Sequence, residues 1–415
     1  GGALDLTNIK ELMKRLGNPQ DQLKYVHVAG TNGKGSVIAY LYTTLSEAGY
    51  RVGRYISPSV YSYREKMEVA GSAVSREQFA GYVTRVAAAI KEMTTEGLAH
   101  PTPFEIETAV AFLFFAEEKC DLVILEVGMG GNLDATNIIR NTVLAVLVPI
   151  SMDHQAFLGN TLSEIAEKKA GIIKPGCSVV TVGQQPETMA VIERVCRENG
   201  ADLTEADLHE AKAVKEDFAG QTLEYRGENY ELALAGSYQT ENAAHALEAL
   251  EVLGRVGYPT TVEQRKKGLK DTKWNGRLTI IHREPLFIVD GAHNPAAADM
   301  LEDSVRKYFK GRKLFFIMGV FRDKDYPYII RKLCPYAEQI ITIETPDNPR
   351  ALPAQELAEE VKKCNPHVQA ADSIPDAVDK IFAMAGREDV ILSFGSLSFI
   401  GEITTIVKTQ EEKNS

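Results

Sequence analysis

The sequence has few cysteines, and they follow no metal-binding or redox-type spacing. The five are Cys120, Cys177, Cys196, Cys334 and Cys364. No two of them form a C-x-x-C pair, and their number is odd. This excludes the usual zinc-site and thioredoxin-like patterns and argues against the disulfide framework of a secreted protein. The composition therefore predicts a reduced, cytoplasmic compartment.

Long apolar runs and an excess of basic residues are also missing. The longest apolar run, residues 109–116, is too short to span a bilayer, and no charged-then-apolar signal segment opens the chain. The formal net charge is −11, whereas a general nucleic-acid binder needs a basic surface. We expect no membrane and no nucleic-acid partner. Since no repeat or apolar stripe calls for a second chain, we also expect a monomer.

What the chain does contain is typical of a globular α/β protein. Its 415 residues are enough for two or three domains. Of these residues, 44% are hydrophobic and 25% are charged, as is ordinary for a globular protein. Near-continuous apolar stretches, such as Tyr25–Ala29 and Asp121–Val127, alternate with helical patterns and predict a parallel sheet covered on both faces. Residues Thr222–Leu234 alternate instead, with Gly227 at a turn, and predict an antiparallel hairpin.

A domain boundary is predicted near Trp274. A charged stretch, Glu263–Lys273, precedes it, and the strand–helix alternation restarts with Leu286–Val289. We expect a domain at 1–273, a linker or hinge at 274–282 and a domain at 283–415, the last of normal domain size. The first would be a P-loop ATPase-like domain, with a parallel sheet and a small antiparallel subregion. The second would be a smaller, Rossmann-like α/β domain.

The most informative stretch follows the strand Tyr25–Ala29. It reads Gly30-Thr-Asn-Gly-Lys-Gly-Ser36 and leads into a helical pattern over Val37–Ala48. In this context backbone N–H groups and a helix N-terminus converge, and Lys34 adds a positive charge, as in a phosphate cradle. Ser36 occupies the place of the P-loop hydroxyl that reaches Mg²⁺. The alternative is a surface turn with an incidental lysine, which the strand–helix context disfavours.

Three further residues, Glu126, His154 and Lys169, are considered as functional candidates. Glu126 ends an apolar strand, where ligands gather in open α/β sheets, and suits Mg²⁺; the alternative is a salt-bridged glutamate. His154 follows the next strand, but a lone histidine is more often structural and imidazole is unusual for Mg²⁺. The residues thus leave Mg²⁺ and Mn²⁺ open. Lys169 lies in a run whose chemistry favours a solvated helix end.

A resemblance to a known family covers nearly the whole chain. The loop Gly30–Ser36 resembles that of the Mur ligase superfamily of ATP-driven amide-forming enzymes, and its Lys-Gly-Ser ending is similar to the folylpolyglutamate synthase and dihydrofolate synthase branch. The other motifs similar to that branch occur in the same order, at Ile56–Pro58, Glu126–Gly131, Leu133–Asn137, Ile150–Lys174, Trp274–Arg277 and Asp290–Pro295.

The resemblance implies a residue set for each ligand. The implied ATP-binding residues are Gly30, Thr31, Asn32, Gly33, Lys34, Gly35, Ser36, Asn242, Arg277 and Asp290. The implied metal ligands are Ser57, Glu126, His154 and Lys169, the last as a carbamate that supplies oxygen atoms for a second metal. The implied folate-binding residues are Thr102, Pro103, Phe104, Glu105, Leu133, Asp134 and Ala135. The implied catalytic residues are Lys34, His154, Lys169 and His293.

The implied reaction joins L-glutamate to dihydropteroate or a reduced folate, with ATP as co-substrate and two Mg²⁺ ions. It passes through an acyl phosphate, with Asp290 and His293 of the second domain brought over the phosphates. We expect a bifunctional dihydrofolate synthase and folylpolyglutamate synthase. The alternatives are folylpolyglutamate synthase activity only, another Mur-type amino-acid ligase, and a regulatory ATP-binding module without ligase activity.

Overall fold

In the computed structural model of the protein, residues 5–153, 155–218 and 220–414 are described. The helices of this part of the chain are α1 Thr7–Arg15, α2 Lys34–Glu47, α3 Arg76–Thr95, α4 Pro103–Glu117, α5 Gln155–Leu158, α6 Leu162–Ala170, α7 Pro186–Asn199, α8 Gln239–Arg255, α9 Val262–Asp271, α10 Pro295–Tyr308, α11 Tyr326–Leu333, α12 Ala354–Lys362, α13 Ile374–Met384 and α14 Ile400–Asn414.

The strands of the same residues are β1 Tyr25–Ala29, β2 Val52–Tyr55, β3 Met67–Val69, β4 Ser72–Ala73, β5 Leu122–Glu126, β6 Thr142–Leu147, β7 Ser178–Val182, β8 Asp202–Ala206, β9 Lys212–Asp217, β10 Gly220–Tyr225, β11 Glu228–Leu232, β12 Thr279–Arg283, β13 Leu286–Val289, β14 Leu314–Met318, β15 Ala337–Thr342, β16 Val368–Ala370 and β17 Val390–Phe394.

The chain divides into two compact units. The first comprises Gly1–Val214, Thr222–Ala233 and Thr240–Thr272, and the second comprises Lys215–Gln221, Leu234–Gln239 and Lys273–Ser415. The main change from one unit to the other thus follows Thr272, where helix α9 has just ended. Two short segments, Lys215–Gln221 and Leu234–Gln239, belong to the second unit although they precede this point in the chain. Local sequence patterns do not indicate this membership.

An eight-stranded sheet organises the first unit, in the order β4-β3-β2-β5-β1-β6-β7-β8. The six strands from β2 to β8 in this order pair in parallel, and β3 and β4 add an antiparallel edge. Its central strands β1 and β5 are buried along their whole length. Apolar cores pack on its two faces, one with α1, α3 and α4 and the other with α6 and α7. The predicted parallel sheet is confirmed.

The second unit contains a mixed six-stranded sheet. Its order is β12-β13-β17-β14-β15-β16, and only the β12–β13 pair is antiparallel. A smaller sheet, β11-β10-β9, includes a hairpin whose turn residues, Arg226 and Gly227, both have positive φ. That is the geometry of a two-residue type I′ turn, as the glycine in the alternating stretch predicts. The predicted α/β fold class is therefore confirmed.

Some local expectations differ from the structure. Helix α2 begins at Lys34 rather than Val37, because the helix starts within the glycine loop itself. The segment 58–71, for which no element is predicted, contains a 3-10 turn, β3 and most of the β3–β4 turn. The charged stretch before the boundary forms α9, whose N-terminus is capped by Thr261. No helix among the described residues is long and apolar enough to cross a membrane.

Candidate active site

The predicted phosphate loop lies at the carboxyl edge of the first sheet. Strands β2, β5, β1 and β6 are neighbours and run in the same direction, so the segments that follow them meet at one edge. Ser57, Gly30 and Ser151 lie in the segments after β2, β1 and β6, and Glu126 is the last residue of β5. Parallel pairing therefore collects residues that are far apart in sequence, as is usual for ligand sites in open α/β sheets.

Two glycines of the loop are required by its backbone. Gly30 has φ +140°, and a Cβ there would lie 2.2 Å from Val148 Cγ2. Gly33 has φ +95°, and a Cβ there would lie 2.6 Å from Asn242 Oδ1. A side chain at either position would thus be strained and would clash. The second contact also places Asn242, predicted from the resemblance alone, directly against the loop.

Helix α2 begins inside the loop. Gly33 is its N-cap, and the first helical hydrogen bond runs from Val37 N–H to Gly33 O at 3.0 Å. The amides of residues 34–36 therefore precede the ladder of the helix, where the helix dipole favours an anion. The Ser36 side chain is buried at this end.

Thr31 ties the loop to the segment that follows β6. Its N–H donates to Pro149 O at 2.9 Å, its hydroxyl donates to Ser151 O at 3.1 Å, and Ser151 N–H donates to the Thr31 hydroxyl at 3.0 Å. All three partner groups belong to the backbone of that segment. The loop is thus held in place before any ligand binds, and Thr31 has a structural role besides the predicted ATP contact.

Two lysines converge on the loop. Lys34 Nζ donates to Gly30 O at 3.4 Å and to Thr31 O at 3.2 Å, and Lys169 Nζ donates to Gly30 O at 2.6 Å. Lys169 is only 5% exposed. The interpretation of this helix end as solvated is therefore wrong for Lys169, because α6 turns that face toward the loop. Both amino groups thus donate to one carbonyl oxygen of the phosphate loop.

The surroundings of Lys169 favour its neutral amine. Burial lowers the Lys169 pKa to about 7, and the nearby positive charge of Lys34 acts in the same direction. The negative charges of Asp153 and Asp134 oppose the shift only in part. Since the neutral amine is the form that reacts with carbon dioxide, this environment suits the carbamylation that the resemblance implies.

Replacing Lys169 with methionine should change the pH dependence of stability. The wild-type amine has a pKa of about 7 when folded and an ordinary value of 10.5. Between these values the unfolded chain binds more protons, so the free energy of unfolding should rise with pH by about 1 kcal/mol per pH unit. Below pH 7 the folded protein bears the full cost of the protonated, buried Lys169 amine. Methionine cannot titrate, and Lys169→Met should lack this rise.

Urea unfolding at pH 7, 8 and 9 in buffer free of carbon dioxide measures this slope. The matched control is Lys168→Met on the same helix. Lys168 is only partly buried, with its Nζ 2.6 Å from Phe157 O, so this variant should keep the wild-type slope. Equal slopes in Lys169→Met and the wild type would show that the buried amine does not titrate in this range.

Glu126 and Ser57 lie together, as predicted for metal ligands. The Glu126 carboxylate is 7% exposed, and its Oε2 accepts the backbone N–H of Ser57 at 3.1 Å. Glu126 pairs in register with Val28, two residues before the phosphate loop. The third predicted ligand, His154, lies outside the described residues. Among the residues that are described, no group of three or more histidine, cysteine or acidic side chains is arranged to hold a metal ion.

This donor set nevertheless fits Mg²⁺. Magnesium rarely occupies a cage built wholly of protein ligands and is usually held by one or two carboxylates together with substrate phosphates. One buried carboxylate and one serine at the mouth of a phosphate loop meet this requirement. A Lys169 carbamate would add further oxygen atoms.

The first predicted folate stretch forms the start of helix α4. Thr102 is the N-cap: its hydroxyl accepts from Glu105 N–H at 3.3 Å, and Glu105 Oε2 accepts from Thr102 N–H at 2.7 Å. This reciprocal pair is a capping box, with Pro103 at the first helical position. Thr102 and Glu105 thus have a local structural role. Phe104 stacks on Tyr55, with ring centroids 6.2 Å apart.

The second predicted folate stretch follows the glycine-rich loop after β5. Asp134 is buried and accepts hydrogen bonds from Met129 N–H at 2.9 Å and from the N–H and hydroxyl of Thr136. Burial raises the pKa of this carboxyl, although these hydrogen bonds oppose the shift. Leu133 is 46% exposed, whereas Ala135 is buried. Asp134 therefore shapes the loop, and Leu133 is the member of this stretch that faces solvent.

The two folate stretches meet at Gly128. A Cβ at this position would lie 2.7 Å from Phe104 Cζ and 3.2 Å from Asp134 Oδ2. The structure thus brings the two predicted stretches together although helix α4 and strand β5 separate them in sequence. Their role in folate binding stays a prediction.

Within the second unit, Asp290 lies near Arg277, and His293 follows Asp290 in the segment between β13 and α10. Asp290 accepts from Leu278 N–H at 2.9 Å and from Ala292 N–H at 2.8 Å. Burial raises its pKa, and the charge of Arg277 opposes this. His293 Nδ1 lies 2.8 Å from Gly291 O, and because a carbonyl only accepts, this nitrogen carries the proton.

Sequence reasoning missed two residues near the loop. Ser151 is fixed to Thr31, and Asp153 acts electrostatically on Lys169. Both follow β6, so their position after a buried strand was an available signal. That signal does not identify Thr31 and Lys169 as their partners, because the order of the strands in the sheet brings these residues together.

Matches to family models cover most of the chain. Residues 28–250 match the Mur ligase middle domain, and residues 276–397 match the Mur ligase, glutamate ligase domain. The chain is 35% identical over 414 residues to the dihydrofolate synthase/folylpolyglutamate synthase of Bacillus subtilis, which covers 97% of this chain and 95% of that protein. It is 33% identical over 358 residues to the folylpolyglutamate synthase of Lacticaseibacillus casei, covering 84% and 83%.

Solved structures agree in fold over nearly the full length. Folylpolyglutamate synthase of Mycobacterium tuberculosis, complexed with ADP and AMPPCP, superposes with a TM-score of 0.89 at 30% identity, covering 97% of this chain and 95% of that chain. FolC of E. coli, in complex with DHPP and ADP, gives a TM-score of 0.84 at 29% identity, covering 99% and 94%.

Proposed function

The chain belongs to the folylpolyglutamate synthase/dihydrofolate synthase family of the Mur ligases, and we propose that it uses ATP to join L-glutamate to folates, acting on both dihydropteroate and reduced folates. The observation that carries the ligase assignment is the convergence of Lys34 and the buried Lys169 on Gly30 O. On the neighbouring strand, Glu126 pairs with Val28, two residues before Gly30. A simple phosphate-binding loop does not need the second, buried lysine.

The loop residues bind and orient the nucleotide. Lys34 and the amides at the start of α2 bind the phosphates, where positioning and charge neutralisation account for most of the rate of phosphoryl transfer. The hydrogen bonds of Thr31 to the segment after β6 keep the loop in one conformation, so little reorganisation is needed on binding. Asn242, which lies against Gly33, limits the space beside the loop.

We propose that Glu126, Ser57 and a carbamylated Lys169 hold magnesium at this edge of the sheet. When bound, the ion neutralises charge on the phosphates of ATP. The Ser57 N–H fixes one oxygen of Glu126, which sets the direction of the carboxylate. The low pKa of Lys169 makes its amine available for reaction with carbon dioxide at neutral pH.

Amide formation needs activation because a carboxylate has no good leaving group. The carboxylate of the acceptor, which is the γ-carboxylate when the acceptor is a folate, attacks the γ-phosphorus of ATP, the bond to the β-phosphate oxygen breaks, and ADP leaves. The resulting acyl phosphate is attacked by the amine of L-glutamate. The C–N bond forms as the C–O bond to phosphate breaks, and the amine loses its proton. Water must be excluded between the two steps, since it would hydrolyse the acyl phosphate.

The test is an assay of ADP release with Mg-ATP and L-glutamate, in which dihydropteroate and a tetrahydrofolate are compared as acceptors. We expect glutamate-dependent turnover with both. Turnover with the tetrahydrofolate only would restrict the function to folylpolyglutamate synthesis. No turnover with either, together with turnover of a UDP-linked muropeptide precursor, would replace the folate assignment with another Mur-type ligase activity.

A further inference from the structure

Two cysteines of the second unit, Cys334 and Cys364, lie side by side, and the proposed ligase reaction uses neither. Cys334 caps the end of helix α11 and is fully buried, whereas Cys364, in the turn after α12, is exposed. Cys364 Sγ lies 3.8 Å from Ile330 O, and the same carbonyl accepts the backbone N–H of Cys334. The exposed sulfur therefore packs against the turn of helix that carries the buried one.

The neighbouring residue fixes this approach. Asn365 is buried, and its Nδ2 donates to Cys334 O at 2.9 Å and to Ala337 O at 2.8 Å. The turn that carries Cys364 is thus bound by two buried hydrogen bonds, one to the backbone of Cys334 and one to that of Ala337. The proximity of the two thiols does not depend on a chance conformation of a surface loop.

The two thiols differ in reactivity. The interaction with the Cys334 thiol lowers the pKa of the Cys364 thiol, and the same interaction, together with burial, raises the pKa of Cys334. The Cys334 sulfur also lies 4.0 Å from Met318 Sδ. The thiolate is the nucleophilic form of cysteine. The accessible sulfur is therefore the one that meets an oxidant in solution, and the buried sulfur is placed to react second.

We propose that Cys334 and Cys364 form a reversible internal disulfide when the protein meets a peroxide. The Cys364 thiolate attacks one peroxide oxygen, the O–O bond breaks, and a sulfenic acid and one water result. The Cys334 thiol then attacks the Cys364 sulfur, the S–S bond forms, and the oxygen leaves as a second water. The two thiols lose two electrons and two protons in total, and a low-molecular-weight thiol can reverse the reaction.

The disulfide would lie away from the ligand candidates of this unit. Cys334 and Cys364 come shortly before β15 and β16, at the amino ends of parallel strands, whereas Asp290 follows the carboxyl end of β13. The link would close a segment of about 30 residues that contains β15 and α12, which restricts the unfolded chain. We therefore expect the oxidised second unit to be more stable, with little change in turnover.

The test is mass spectrometry of the full chain after treatment with hydrogen peroxide, with trypsin digestion under non-reducing conditions. Cys334 and Cys364 lie in separate tryptic peptides, residues 333–350 and 364–380, so the disulfide would link these two peptides. We expect this linked pair to appear with peroxide and to vanish with dithiothreitol. Oxidation should raise the melting temperature of the second unit by roughly 5–10 °C and change the rate of ADP release less than about twofold.

Two variants separate this reaction from general oxidation. Cys364→Ser, at an exposed position where folding is not at risk, should abolish both the linked peptides and the thermal shift. Cys196→Ser removes a cysteine of the first unit, which lies with Cys177 among buried apolar side chains beside α6 and α7, and should change neither. Independent oxidation of Cys364 to sulfinic acid, or its linkage to a second chain, would overturn the inference.

Discussion

Substituting Lys34 with alanine should lower the turnover number for ADP release by roughly 10³-fold, the loss expected when a charged group at a transferring phosphate is removed. Lys34 Nζ is held at the loop by Gly30 O and Thr31 O, at 3.4 Å and 3.2 Å. These weak contacts exchange readily for phosphate oxygens. The backbone of the loop does not depend on them, since Thr31 is fixed by the segment after β6.

Steady-state kinetics with varied ATP separates binding from chemistry. If Lys34 acts on the transition state, the turnover number should fall more than the KM for ATP rises. Lys24→Ala is the control, because Lys24 is an exposed lysine directly before β1, the strand that leads into the phosphate loop. This control should keep wild-type kinetics. A Lys34→Ala variant with the wild-type turnover number and only a raised KM would confine Lys34 to ground-state binding.

Glu126→Gln should reduce turnover by roughly 10²-fold or more and should raise the Mg²⁺ concentration needed for half-maximal activity. Glutamine has the same shape, and its amide oxygen can still accept from Ser57 N–H, as Glu126 Oε2 does at 3.1 Å. The side chain should therefore keep its place. What is lost is the negative charge, on which binding of a divalent cation depends.

The measurement is a Mg²⁺ titration of ADP release, with binding of ADP in the absence of metal as a second readout. Metal-free binding should be unchanged, because the phosphate loop is intact. The control is Glu248→Gln, which also removes a buried carboxylate of the first unit, one that accepts from Tyr225 OH at 3.1 Å. An equal loss of turnover in both variants would indicate that Glu126 matters only for folding.

Local sequence order determined much of this protein. The bounds of β1 and β13 coincide with the predicted ones, because each is a short, mainly apolar run between glycine, proline or polar residues. The phosphate loop could be recognised for the same reason. Its strand, glycines, lysine and helix are contiguous, so local conformation and chemistry are encoded in a single segment.

Only the tertiary structure decided which charges meet at the site. Lys169 and Gly30 are 139 residues apart, and Ser151 and Thr31 are 120 apart. By spacing and helix polarity alone, Lys169 belongs to a solvated helix end; its burial follows from the packing of α6 beside the loop. Hydrophobic periodicity specifies which face of an element is buried, but it does not specify which neighbour covers that face. The order of the strands determines which elements are neighbours. The resulting burial of Lys169 lowers its pKa.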